Sequence, residues 1–340
     1  MGLAVVLLAA GQGTRMNSKW PKVLHKVGGR PMVQHIFETV LDVTDLPPVL
    51  VVGVGESGVQ QLLGERAVYV VQEERLGTGH ATMMAEAVLS GRATQLLVTY
   101  GDMPLLRPET LRQLAQIQAE QGAALSMLTV QGEISSTFGR VVRGESGRVI
   151  EILEAAQARR RPNPEQWLAI SELNVGVYCF AADWLWANLP HLPLRQARSG
   201  REYYLTDMVE MAVKQARPVA TLTLADPDEG LGAGTRQELV AVEKAFRRRI
   251  NEKWLAAGVT LLDPQTTYID PDVTIGQDTI IWPNTHLQGR TIIGEDCQIG
   301  PNTIISHATI GVGCRVEQAV IEKTTLPNNI FVPPFSYLHD

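Results

Sequence analysis

An α/β domain followed by a parallel β-helix is the fold the sequence predicts, and three observations carry it. Up to about residue 230, short β-branched runs alternate with segments of helical period. Those runs are apolar almost throughout, as strands covered on both faces must be, which indicates a mostly parallel sheet between helices. After residue 262 the period changes to six. Ile269, Ile275, Ile281, Leu287, Ile293, Ile299 and Ile305 fall in register, a repeat that neither a helix nor a sandwich strand sustains.

Taken in order, strands are predicted over Ala4–Leu8, Val49–Val54, Val68–Gln72, Leu96–Thr99, Leu125–Val130, Val175–Phe180 and Val219–Leu224. Helical spacing predicts helices over Met32–Val43, Thr78–Leu89, Pro108–Glu120 and Leu205–Lys214. Residues 235–257 read as one amphipathic helix, with Leu239, Val242, Phe246, Ile250 and Trp254 on one face and Gly258 as its stop. This divides the chain into a domain over 1–230, a linker helix over 231–258 and a β-helix over 259–340. Arg247–Arg249 is expected to be a solvated face of that helix, and Arg159–Arg161, followed by Pro162 and Pro164, a surface loop. Within the repeats Gly follows several aliphatics directly (Ile275-Gly276, Ile293-Gly294, Ile299-Gly300), and a register slip brings Ile310-Gly311 and Val316. Cys297 and Cys314 occupy equivalent slots of successive turns, which suits small buried hydrophobes better than reactive thiols.

Composition excludes several classes. The 340 residues are 45% hydrophobic and 19% charged, so global disorder is excluded and more than one domain is expected. A net charge of -6 gives no basic surface for nucleic acid or membrane. Three cysteines without a CxxC pair build neither a disulfide framework nor a zinc site, and the cytoplasm is the expected compartment. No stretch reaches the roughly 18 apolar residues of a membrane helix, and the run Leu3–Ala10 lacks the flanks of a signal peptide.

Chemistry concentrates in three patches, each directly after a strand. Leu8-Ala9-Ala10-Gly11-Gln12-Gly13-Thr14-Arg15-Met16 ends a buried strand in a Gly-rich turn, where backbone N–H groups can approach an anion. It is neither a Rossmann fingerprint, since Met16 stands where the third Gly belongs, nor a Walker loop. Between Gly11 and Arg30 lie Arg15, Lys19, Lys22, Lys26 and Arg30 with no acid, which reads as an island of positive charge around an anion site. The second patch, Tyr100-Gly101-Asp102-Met103-Pro104, sets a carboxylate at the end of a parallel strand, where open α/β sheets bind ligands and Mg²⁺ can be held against phosphate. A plain Asp turn is the alternative. The third, Gln72 with Gly77-Thr78-Gly79-His80, offers a donor and an acceptor to a nucleobase edge, and glycines on which the base could lie. His80 is expected to pack or cap rather than act as a base.

Together the patches resemble the sugar nucleotidyltransferase family, and within it the bacterial N-acetylglucosamine-1-phosphate uridyltransferases. The resemblance rests on Leu8–Met16, Pro21–His25, Gly77–Ala81 and Tyr100–Leu105, and extends through Phe138–Arg140, Glu154, Glu172–Gly176, Glu202–Asp207 and the hexapeptide repeats. It implies a doubly wound, Rossmann-like domain and a left-handed β-helix. It also implies that UTP and a sugar 1-phosphate are the substrates, with Mg²⁺ as cofactor. Leu8, Ala9, Ala10, Gly11, Gly13, Thr14, Gln72, Gly77, Thr78, Tyr100 and Gly101 would hold the nucleotide. Arg15 and Lys22 would meet its phosphates, Asp102 would bind Mg²⁺, and Gly139, Glu154 and Asn174 would bind the amino sugar. A homotrimer is implied by the way such β-helices pack.

Four departures qualify the likeness. Gly234 stands where the family has an Asn that is the second metal ligand, so water or a different residue, with Asp226 and Asp228 nearby in sequence, would have to substitute. Ala155-Ala156-Gln157-Ala158 follows Glu154 without the charges usual beside the sugar phosphate, and Arg75 replaces a Gln. The β-helix runs about four turns to Asp340, short of the family's acetyltransferase site, so acetyl transfer is not expected of these residues. Another sugar 1-phosphate or NTP, and a catalytically weak nucleotide-sugar-binding subunit, are the alternative readings.

Overall fold

The structure, a computed structural model, describes residues 2–44, 46–55, 57–132, 138–197 and 200–340. They form two compact units, Met1–His25 with Pro31–Leu239, and Lys26–Arg30 with Val240–Asp340.

In the first unit the chain runs through β1 (Gly2–Leu8), α1 (Met32–Leu41), β2 (Val49–Gly53), β3 (Val68–Gln72), α2 (Gly77–Met83), β4 (Ala93–Tyr100), α3 (Pro108–Glu120) and β5 (Leu125–Gln131). It continues through β6 (Gly139–Arg143), β7 (Val149–Leu153), β8 (Glu172–Ala181), α4 (Asp207–Lys214) and β9 (Val219–Thr223). The strand order is β9-β5-β8-β4-β1-β2-β3, with β6 pairing β8 and β7 off that path. Along β1 the side chains of Ala4, Val6 and Leu8 enter the core on one face, and those of Val5 and Leu7 the core on the other. Every residue from Ala4 to Leu8 is therefore buried, which is why the strand reads as an unbroken apolar run. α3 opens on Pro108, whose fixed φ suits a first helical turn, and buries Leu111, Leu114, Ala115 and Gln118 on a single stripe.

All seven predicted strands are present, but the sheet is more mixed than expected, because β8 runs antiparallel to both β4 and β5. The helix expected over Thr78–Leu89 is two pieces, α2 and a turn over Glu86–Leu89. β6 and β7 escaped the apolar-run criterion because charged side chains interrupt them. Arg143 of β6 pairs with Glu172, and Glu151 of β7 accepts both N–H groups of the Arg161 fork at 2.7 and 2.6 Å. Arg161 also lies over the Trp167 ring, so the Arg159–Arg161 segment is anchored rather than a plain loop.

The division between the units falls inside the helix α5 (Arg236–Ala256). In the second unit the repeats build three parallel ladders of two- to four-residue strands, the left-handed β-helix expected. All seven in-register aliphatics are buried. Ile293, Ile310 and Leu326 share one ladder, so the register slip is absorbed in the corners while the aliphatic column continues. Cys297 and Cys314 are buried as expected, their thiols aimed at the turn carbonyls of Gly311 and Pro327, each at 3.1 Å. Asn251 of α5 is buried and donates to the Pro264 and Thr267 carbonyls. Arg247 is not simply solvated, since its guanidinium stacks on Tyr268 at 4.4 Å. Among the described residues no helix is long and apolar enough to cross a membrane.

Candidate active site

β1 and β4 are parallel neighbours in which Leu8 faces Tyr100, so both strands end at the same edge. The Gly101 N–H donates to the Leu8 carbonyl at 2.9 Å, clamping the two turns together where the strands stop. The segments after them, Ala9–Thr14 and Gly101–Asp102, thereby emerge side by side. Lys22 reaches in from the following segment, and its Nζ lies 2.5 Å from Asp102 Oδ2. Asp102 is only 8% exposed, so this charge is taken largely out of water and kept with a cation. The Gly-rich turn passes directly over Lys22. Gly13 has φ +64°, and a side chain there would meet Lys22 Cβ at 2.5 Å. A residue without a Cβ is needed for both reasons.

The basic island does not stay whole. Arg15, Lys19 and Lys22 belong to the first unit, whereas Lys26 and Arg30 belong to the second, where Arg30 pairs with Asp272.

Gln72, at the end of β3, is buried, and its Nε2 is shared between the Gly77 carbonyl at 3.1 Å and His80 Nδ1 at 3.0 Å. Both amide hydrogens are thus engaged, and the side chain offers an incoming group its carbonyl oxygen, not the donor–acceptor pair expected. His80 is the packed histidine expected. The glycine at 77 serves packing, because with φ +92° a Cβ would strike the Tyr203 carbonyl at 2.7 Å. Thr78 accepts from the Leu205 N–H at 3.0 Å, tying α2 to the segment before α4.

Tyr100 stands between two carboxylates. Burial pushes its phenol well above the usual range, and Glu154 and Asp102 push it further. Glu154 directly follows β7, accepts a hydrogen bond from Thr206 Oγ1 at 3.2 Å, and lies beside Gly139, where a Cβ would be 3.5 Å from its Oε1. Burial also raises the Glu154 carboxyl above the ordinary carboxylate range, opposed by the Thr206 bond. The uncharged Ala155–Ala158 forms one helical turn capped by Glu154, with Gln157 reaching back to the Glu154 N–H. Asn174 is buried at the irregular part of β8, where its amide donates to Tyr178 Oη at 2.7 Å and accepts from the Gly176 N–H at 3.1 Å. Its first partners are therefore internal. Thr206 and Tyr178, which position Glu154 and Asn174, carried no role in the sequence reading; only the blocks Glu202–Asp207 and Glu172–Gly176 pointed near them.

Arg15 is exposed, and its Nη2 lies 2.6 Å from where a Cβ on Gly234 would stand. The space of the missing side chain is thus partly filled by the guanidinium. Gly234 precedes α5, and its N–H is taken by Glu238 Oε2 at 2.8 Å while Glu238 N–H donates to Thr235 Oγ1, a capping arrangement. Asp226 is engaged with Arg107 and caps the turn that contains Asp228, and the described residues hold no group of three His, Cys, Asp or Glu able to hold a metal. Mg²⁺ is commonly held by one or two carboxylates, with water and phosphate completing the shell. A single, nearly buried carboxylate already facing a cation, as Asp102 faces Lys22, fits that pattern.

Comparison with known proteins gives the chain's family. Residues 5–204 match the MobA-like NTP transferase domain, and residues 272–307 match the bacterial transferase hexapeptide (six repeats). The chain is 41% identical over 333 residues to the bifunctional protein GlmU of Exiguobacterium sibiricum, covering 98% of this chain and 73% of that protein. It is 40% identical to that of Halalkalibacterium halodurans (98% and 72%) and 42% identical to that of Pelotomaculum thermopropionicum (99% and 72%). With an NTP transferase domain over more than half its length and such relatives over nearly all of it, the chain belongs to the bifunctional protein GlmU family and is a nucleotidyltransferase.

Proposed function

We propose that the protein transfers UMP from UTP to N-acetylglucosamine 1-phosphate, with Mg²⁺, giving UDP-N-acetylglucosamine and pyrophosphate. A phosphate oxygen of the sugar phosphate bonds to the α-phosphorus of UTP while the bond to the β-phosphate oxygen breaks. The observation that carries the reading is the Lys22–Asp102 pair beneath the Gly11–Thr14 turn, at the end of the strand that brings Tyr100 between Asp102 and Glu154. Two polyanions must be brought together, so positioning and charge neutralisation supply most of the acceleration, and no protein nucleophile is needed.

In this reading Leu8, Ala9, Ala10, Gly11, Gly13, Thr14, Gln72, Gly77, Thr78, Tyr100 and Gly101 bind the nucleotide, and the Gln72 carbonyl accepts from the uracil imide. Arg15 and Lys22 hold phosphate oxygens, and Gly139, Glu154 and Asn174 orient the amino sugar. Asp102 would hold Mg²⁺, which when bound offsets charge on the phosphates. Residues 1–230 form the pyrophosphorylase domain, 231–258 the linker helix and 259–340 the β-helix, and the protein works in the cytoplasm, where UTP is at hand.

We also propose a homotrimer packed through one β-helix face. Tyr268, His286, Ile304, Val320 and Tyr337 stack in register on one ladder, with Tyr268 and His286 rings 4.4 Å apart, an apolar stripe suited to burial between copies. Light scattering should give three chains per particle, and a monomer at micromolar concentration would refute this.

Pyrophosphate release tests the activity, with glucose 1-phosphate, glucosamine 1-phosphate and dTTP in parallel. Fast turnover is expected only with UTP and N-acetylglucosamine 1-phosphate. Preference for another pair would move the assignment, and UTP binding without turnover would favour a regulatory subunit.

A further inference from the structure

Asp102 lies on the segment 101–107, which joins the end of β4 to the first turn of α3. Such a connection has no ladder of its own, so its course depends on what satisfies its backbone. It is pinned at its start, at Asp102 and at its end. The Gly101 N–H donates to the Leu8 carbonyl, and the Asp102 carbonyl accepts from the Ala233 N–H at 3.1 Å. At the far end the Arg107 N–H donates to Glu229 Oε2 at 3.2 Å. The last two pins come from one distant stretch, 229–233. Glu229 is only 5% exposed, and a carboxylate so far out of water has to be well partnered. Its Oε2 also accepts from Thr110 Oγ1 at 2.7 Å, and its Oε1 lies 3.5 Å from Arg107 Nε. The N-cap of α3, Arg107, makes no side-chain capping bond, so Glu229 caps that helix from 122 residues away.

The same carboxylate does more than end a helix. Ala233 is fully buried, and a Cβ on Gly232 would stand 3.4 Å from the Asp102 carbonyl, so the stretch lies close against the Asp102 backbone. Releasing Glu229 would free that stretch at one end, and with it the contact that fixes Asp102. We propose that Glu229 is a positioning residue for the reaction. By clasping the start of α3 it holds the 229–233 stretch in place, and so aims the Asp102 carboxylate at Lys22 and at a metal ion. The proposal rests on the uridylyltransfer reading above. Where one carboxylate meets the ion, its placement comes from the backbone beneath it, and an error of about 1 Å can cost about a hundredfold in rate.

The test uses the full chain and two readouts. With saturating UTP, Glu229→Ala should raise the half-saturating Mg²⁺ concentration roughly tenfold and lower kcat by a similar factor, as loss of a charge-assisted bond does. The KM for N-acetylglucosamine 1-phosphate should stay within about twofold. Glu229→Gln, whose carbonyl oxygen still accepts from Arg107 and Thr110, should recover most of the loss. Without turnover, titrating the enzyme into Mn²⁺ and UTP should enhance water-proton relaxation. The midpoint of that titration should move to roughly tenfold more enzyme in Glu229→Ala. Ile299→Ala is the control, since it loses stability in the β-helix and should leave both metal readouts unchanged. If Glu229→Ala does not fold, Thr110→Val removes one donor to the carboxylate and should give the same shifts at a smaller size. Parental metal readouts in a folded but less stable Glu229→Ala would reduce Glu229 to a helix cap. That would overturn the proposal and leave the uridylyltransfer reading intact. Equal shifts in Ile299→Ala, or a matching rise in the KM for the sugar phosphate, would overturn it too, by showing a general disturbance. A parent that neither turns over nor binds Mn²⁺ with UTP would refute both.

Discussion

The β-helix and the Gly-rich turn are held together in different ways. In the β-helix each aliphatic repeats one contact, Ile281 on Ile299 and Ile299 on Val316, so every turn has neighbours of its own kind. Around Gly11 the pairings do not repeat: Lys22 meets Asp102, Arg75 meets the Ala10 carbonyl, and Gln72 meets Gly77 and His80. The first region is held by summed apolar burial, the second by specific polar pairings on a rigid sheet edge. Damage should therefore appear as lost stability in one and lost activity in the other.

The largest expected effect breaks the pairing. Lys22→Ala should lower kcat at least about a hundredfold, the scale of losing one charge-stabilising group. Its melting temperature should fall as well, because the nearly buried Asp102 carboxylate loses its partner, so kcat is compared on folded protein. A loss of stability with kcat unchanged in the folded protein would make Lys22 a structural residue. Next in size, Ile299→Ala removes a fully buried column residue and should cost about 2–5 kcal/mol. Denaturant unfolding would show it, while kcat with saturating UTP stays near that of the parent. Should activity fall in step with stability, the two regions would not be separable in this way.

Gly234→Asn sharpens the contrast inside the site. The nearest atom to the new Cβ is the end of the flexible Arg15 side chain, so the backbone need not move and the guanidinium should be displaced. A severalfold rise in the KM for UTP is expected with little change in melting temperature. Direct Mg²⁺ titration separates the alternatives, for tighter metal binding would mean that the position still serves the ion.

How much of this was legible depended on repetition. The β-helix was readable almost residue by residue because one contact recurs at each sixth position. In the sheet domain, strands buried on both faces announced themselves, but β6 and β7 did not, since the charged Arg143 and Glu151 interrupt their apolar runs. The site motifs were visible as letters, yet their pairings were not. Lys26 and Arg30 fold with the other unit, Asn174 spends its amide on Tyr178 and Gly176, and Thr206 positions Glu154 from a segment fifty residues on. Partners brought together by tertiary structure leave no period to detect.

The smallest effect concerns Glu154. Burial raises its carboxyl, so the native state holds that proton more tightly than the unfolded chain. The stability contributed by protonation is complete at acid pH and is lost as pH rises through the raised native value. Glu154→Gln should consequently melt slightly higher than the parent near pH 8, with the gain fading on acidification, while its KM for the sugar phosphate increases. No pH dependence of the difference in melting temperature would contradict this assignment.

The most direct test of the account is Mg²⁺-dependent pyrophosphate release from UTP and N-acetylglucosamine 1-phosphate by the parent and Asp102→Ala, measured side by side on folded protein. Rapid release by the parent and loss of at least about a hundredfold in Asp102→Ala are expected, in line with removal of the central charge. Near-parental release by Asp102→Ala would contradict the claim that the Lys22–Asp102 pair is the centre of the reaction.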